Sequence, residues 1–203
     1  MAKAVIYWEP ATRRRAPPSR HDQVQPFCKT NISDGVMCWK PLERYGPLRG
    51  LMYAFDFLDR STEQDTVVFY VCPSKNYAWN FKPCMKGGHG SIEFRRPPGV
   101  TTAASAKYWI AFTMTFVDLA LLHSPQEVAD RLDLLGPDGM SLSEVYLGNF
   151  QEQFNNCARE LGVQQLLEDQ TASKDDIDNL YLTKITDTAL AYLQSIDDRY
   201  KRP

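Results

Sequence analysis

Apolar positions change their spacing part-way along the chain. Up to about residue 100 they come in short β-rich runs, Ala4 to Trp8, Val36 to Trp39, Leu51 to Phe55 and Thr66 to Val71, punctuated by Pro10, Pro41, Pro47 and Pro73. Branched and aromatic residues suit a pleated, half-buried surface, and a proline ends a ladder because it has no amide hydrogen. The four runs therefore predict strands, although residues 62–71 also fit a short helix. Beyond residue 100 the period lengthens. Ala103 to Leu122 is almost wholly apolar, broken by Lys107 and Asp118, and its uncharged stretch of ten residues is well short of the roughly 20 that span a bilayer. It predicts a buried helix without a membrane span. Trp109, Phe112, Phe116 and Leu119 fall on one of its faces, and Ile110, Met114, Val117 and Leu121 on another. A helix apolar on two faces must be covered twice, by its own fold or by a partner.

Three more helices follow from start and stop signals. Ser124-Pro125-Gln126-Glu127 carries a capping oxygen, a first-turn proline and a glutamate three residues on, and this helix ends near a turn at Gly136 to Gly139. Leu142, Tyr146, Phe150, Phe154, Cys157 and Leu161 form a helical stripe ended by Gly162. A last helix, capped by Ser173 to Asp176, carries Ile177, Tyr181, Ile185, Ala189, Tyr192, Ile196 and Tyr200 along one side. The fold class expected is α+β: a small, mainly antiparallel sheet in residues 1–100, followed by a helical region in residues 101–203.

Charge sharpens this division. The 203 residues carry a formal net charge of -2, with 43% hydrophobic and 24% charged residues, a balance that excludes disorder and a membrane bundle and offers nothing to attract nucleic acid. Residues 1–100 hold 15 Lys and Arg against 9 Asp and Glu, a net of +6, whereas residues 101–203 hold 8 against 16, a net of -8. Two surfaces for different partners, or two halves that attract each other, both follow from such an asymmetry. The densest basic stretch is Arg13-Arg14-Arg15-Ala16-Pro17-Pro18-Ser19-Arg20, which reads as an extended arm, either a solvated linker or a contact for an acidic partner.

Chemical signatures are missing where an enzyme usually carries one. The five cysteines at 28, 38, 72, 84 and 157 lack the tight pairs of a thiolate zinc site and read as reduced thiols, with the pairings Cys28/Cys38 and Cys72/Cys84 left open. His21, His89 and His123 show no ligand spacing, and no nucleophile elbow occurs. Lys86-Gly87-Gly88-His89-Gly90-Ser91 invites a phosphate-cradle reading, but its lysine precedes the glycines, so a plain loop is expected. No catalytic residue, metal or cofactor is expected in this chain.

The order Val5-Ile6-Tyr7, Pro10-Ala11, Gln25, Met37-Cys38-Trp39, Pro47-Leu48, the run Leu51 to Phe55, Val67 to Tyr70 and Tyr77 resembles the 18 kDa accessory subunit family of mitochondrial respiratory complex I over residues 4–82. The resemblance implies a non-catalytic subunit on the matrix arm, peripheral to the inner membrane, whose partners are other protein subunits. No transit peptide is evident, so that location implies earlier cleavage or an internal signal. The partner-binding residues expected are Arg13, Arg14, Arg15 and Arg20 on the basic arm, with Arg suited to bidentate carboxylate pairing, and Trp109, Phe112 and Phe116 on the long helix. Two other readings stand beside this one: an accessory subunit of another mitochondrial complex such as ATP synthase, and a soluble α+β enzyme using the loop 86–91.

Overall fold

A computed structural model describes residues 1–21, 27–32, 37, 39–45, 47–122 and 142–168. The expected capped helix at Ser124, the turn at Gly136 to Gly139, the last helical stripe from Ile177 to Tyr200, Cys38 and His123 lie outside the described residues. The described elements are helices α1 (Ala2–Arg15), α2 (Trp39–Tyr45), α3 (Pro47–Arg60) and α4 (Gln64–Val71), then strands β1 (Trp79–Asn80) and β2 (Glu93–Phe94), then α5 (Ala103–Leu122), α6 (Leu142–Glu160) and α7 (Gln164–Glu168). The class is α+β, as expected, and the sheet lies in the N-terminal half, but it is not built from the runs that predicted it.

Ala4 to Trp8, Leu51 to Phe55 and Thr66 to Val71 are helical, and Trp39 opens α2. The reason is burial. From Ala4 to Thr12 every residue of α1 except the exposed Pro10 is buried, so no polar face interrupts the apolar run and its period is invisible in the sequence. In α3 the periodicity emerges only when the window is lengthened: Leu51, Ala54, Phe55 and Leu58 point inward while Asp56, Asp59 and Arg60 face water. Helix α1 stops at Ala16, whose backbone is extended, because the ring of Pro17 clashes with a helical predecessor.

The sheet is a hairpin, antiparallel, in register Trp79 with Phe94 and Asn80 with Glu93. Buried Asn31 fastens the segment before it: its Nδ2 donates to the carbonyls of Val71 and Trp79, both at 2.9 Å, and its Oδ1 accepts from the Trp79 amide at 2.9 Å. Within the hairpin, Asn80 donates to Glu93 at 2.8 Å and Arg95 pairs with it at 2.6 Å. Asn80 and then Arg95 hold the Glu93 carboxyl below its ordinary value of 4.5. A carboxylate bound more tightly when ionised stabilises the fold above its unfolded pKa, and that contribution is lost as pH falls through the folded value. Glu93→Gln is therefore expected to lower the melting temperature at pH 7 and to melt with the wild type at a pH below both values. A gap of equal size at both pH values would contradict this.

One hydrophobic cluster runs from Ala4 to Cys157 and draws on both halves of the chain. Helix α1 lies at its centre, packed on α3 and α4 and on α6, while α5 packs on α6 and α7. The Trp8 ring meets Phe116 edge-on at 6.2 Å and Phe150 at 6.2 Å, and Trp79 stacks on Phe116 at 4.7 Å and on Phe94 at 4.1 Å. The predicted stripe on α6 is present in Phe150, Phe154 and Cys157, all buried. Its stop is also where expected, since Gly162 has φ +69°, a left-handed conformation that favours glycine. Among the described residues, no helix is long and apolar enough to cross a membrane.

Candidate functional site

The basic segment is folded, which corrects the expectation of an extended arm. Arg13, Arg14 and Arg15 form the last turn of α1, where positive charge complements the helix dipole, and Pro18–Arg20 form a 3-10 turn. Arg20 reaches across the chain and donates to the carbonyls of Arg95 at 3.0 Å and Pro97 at 2.7 Å. Arg96 answers by donating to the Arg20 carbonyl at 3.3 Å and by pairing with Glu9. The Cys28 thiol donates to the Arg95 carbonyl at 2.9 Å, and His21 Nε2 sits 3.0 Å from the Arg13 carbonyl and 3.1 Å from that of Ala16. With two carbonyls as its neighbours, that ring nitrogen is the protonated one, closing the end of the helix. Of the four arginines expected to meet a partner, Arg14 is the exposed one.

Glu9 and Arg96 are 1% and 0% exposed and form a hydrogen-bonded ion pair. They stand 87 positions apart. Burying both charges is costly unless each is held by the other, so the pair fixes the position of the segment following β2 against α1.

Trp109, Phe112 and Phe116, expected at a partner surface, are buried in the core of the chain itself. Phe112 lies 5.2 Å from Phe154 and 5.7 Å from Phe94, ring centre to ring centre. These three side chains therefore belong to the interior and not to a surface. Ile110, Met114, Val117 and Leu121 are 60%, 49%, 37% and 75% exposed, so among the described residues the second apolar face of α5 is the one left open.

In the glycine loop between β1 and β2 three of the amides are already committed. Gly88 N–H donates to the Met85 carbonyl at 2.8 Å, Gly90 N–H to that of Pro83 at 2.9 Å, and Lys86 N–H to Asp65 at 2.9 Å. A Cβ at position 88 would collide with the Pro83 carbonyl oxygen, which is the steric reason for glycine there. A phosphate cradle needs free amides, and Asp65 would repel the anion. His89 and Ser91 lie 3.3 Å apart, both exposed.

Nucleophilic chemistry finds equally little support. Cys28, Cys72, Cys84 and Cys157 are free. Burial pushes all four thiols up, and with Asp118 beside it Cys157 is pushed to about 11, so they are protonated and weakly nucleophilic at neutral pH. Among the described residues no group of three or more His, Cys, Asp or Glu side chains could hold a metal ion.

A cleft of about 390 Å3 opens where the ends of α1 and α5 meet α6 and α7. Arg15 donates to Gln151 Oε1, 136 positions away, and Gln151 Nε2 donates to Asn155 Oδ1 at 2.7 Å. Gln164 donates to Glu168 at 2.7 Å on the rim. Sequence reasoning singled out Arg15 and missed Tyr108, Gln151 and Asn155, since polar residues scattered over three helices leave no spacing to recognise.

With this geometry in view, comparison with known proteins returns no relative: no protein-family model, no curated protein and no solved structure matches the chain. Its function is argued from its own residues.

Proposed function

We propose that this chain is a non-catalytic subunit of a larger protein assembly, docking through the outer face of α5 onto an apolar helix of a neighbouring subunit. The open row Ile110, Met114, Val117 and Leu121 carries the reading. These residues recur at the spacing of a helix ridge, which fits the groove of another helix. Exposed rows of large apolar residues at such spacing mark interaction surfaces. Further support comes from the glycine loop, where the amides of Lys86, Gly88 and Gly90 are engaged, and from thiols raised away from reactivity, both of which weigh against the enzyme reading.

The assembly favoured is the matrix arm of respiratory complex I, which makes the location mitochondrial and peripheral to the inner membrane. Its support is the motif order of residues 4–82, carried here by segments that are helical in α1, α3 and α4. The test is fractionation of source membranes in mild detergent, following the chain and the double variant Ile110→Glu, Leu121→Glu by mass spectrometry. Wild-type protein is expected to migrate at very high mass with NADH dehydrogenase activity, and the variant to leave that fraction while melting at the wild-type temperature, since both positions are solvent-facing. Migration with ATP synthase activity instead overturns the complex I assignment and keeps the subunit reading. Migration of the wild type near 23.2 kDa, or full retention of the variant at high mass, overturns the docking face.

A further inference from the structure

We infer that the cleft between the ends of α1 and α5 and helices α6 and α7 is a binding site for a small organic monocarboxylate with an apolar body. The volume of about 390 Å3 lies within the range of small-molecule sites, and a junction of helices is a common place for one.

The polarity of the lining selects the ligand. Hydrogen bonding runs in one direction, from Arg15 to the Gln151 carbonyl oxygen and from the Gln151 amide to the Asn155 carbonyl oxygen. Each amide oxygen is thereby used as an acceptor, which leaves the Asn155 NH2 group and the remaining guanidinium hydrogens of Arg15 as donors. Tyr108 adds a hydroxyl beside Arg15. Burial raises its pKa and the guanidinium acts in the opposite sense, so at neutral pH it is a donor too. A wall that presents a cation and neutral donors suits an oxyanion, and a guanidinium pairs with a carboxylate through two parallel bonds.

The remaining lining sets size and charge. Phe154 and Leu167 supply apolar surface, which fits a hydrocarbon or aromatic body. Glu168 also lines the cleft, with Gln164 on one of its oxygens, and its charge opposes any anion, a dianion about twice as strongly as a monoanion. Arg15 also ties α1 to α6 through Gln151, so a purely structural role has to be separated from a binding one.

Phenylacetate serves as the probe, with phenylacetamide as its neutral analogue and phenyl phosphate as a dianion, each titrated into the full chain by calorimetry. Phenylacetate is expected to bind saturably, phenylacetamide about tenfold more weakly or worse, and Arg15→Gln to weaken phenylacetate by about tenfold. Should Arg15→Gln melt below the assay temperature, Asn155→Asp, which sets a negative charge against the ligand from a solvent-facing position, is expected to lose binding to the same extent. Absence of saturation up to about 10 mM overturns the site. So does unchanged affinity in a folded Arg15→Gln or in Asn155→Asp, and equal binding of the amide removes the role of charge. Tighter binding of phenyl phosphate than of phenylacetate overturns the carboxylate assignment in favour of a phosphate monoester.

Discussion

Arg96→Met lowers the unfolding free energy by roughly 3–5 kcal/mol, because it removes the charge partner of a carboxylate, Glu9, that is buried with it. Both partners are essentially without solvent contact. The same substitution removes the hydrogen bond from Arg96 to the Arg20 carbonyl at 3.3 Å and so loosens the segment that Arg20 grips at residues 95 and 97. The double variant Glu9→Leu, Arg96→Met is the informative companion. An apolar pair of similar volume avoids the desolvation cost on both sides and is expected to recover most of the loss. Urea unfolding of the wild type, both single variants and the double variant measures the coupling directly. A loss of less than about 1 kcal/mol in the single Arg96 variant would mean that the pair is worth no more than an exposed one.

Phe116→Ala is expected to cost roughly 3–5 kcal/mol, a loss made of the transfer energy of a phenyl ring and the cavity it leaves. Phe116 has no solvent exposure and touches three rings at once, Trp79 at 4.7 Å, Trp8 at 6.2 Å and Phe150 at 6.5 Å. Those rings come from the hairpin, α1 and α6, so no single neighbour can collapse into the void without leaving another. Two positions earlier and on the opposite side of α5, Met114→Ala on the open face is expected to change stability by no more than about 0.5 kcal/mol. The contrast decides how α5 variants are to be read. Loss of Phe112 or Phe116 is expected to act by unfolding the protein, whereas a change at Ile110 or Leu121 tests the proposed docking alone. A Phe116→Ala variant as stable as Met114→Ala would show that the aromatic seam is not the core.

Parts of this architecture are legible in the sequence, and the reasons are local. Helix α5 is long, so its two apolar faces declare themselves through spacing alone. The stripe of Phe150, Phe154 and Cys157 ends at a glycine whose positive φ is a requirement any reader can anticipate. By contrast, α1, α3 and α4 resemble strands, because short runs of branched and aromatic residues carry the same composition in a buried helix as in a buried strand. The true strands are two residues each, too short to leave any alternation. The basic stretch at residues 13–20 shows its charge but not its partners, since the carbonyls it holds lie more than seventy positions away.

What the sequence determined by itself was the division of charge, the absence of recognisable catalytic spacing, the stripe of α6 and the two-faced character of α5. All of these depend on residues close together in the chain, where propensity and periodicity act. Only the tertiary structure decided that α1 is a central helix, that Glu9 finds Arg96, that Arg15 meets Tyr108 and Gln151, and which face of α5 is covered. Each of those is a choice between conformers or surfaces of nearly equal local energy, and it is made by burial: packing α1 between α3, α4 and α6 removes apolar area from water that no local preference can match.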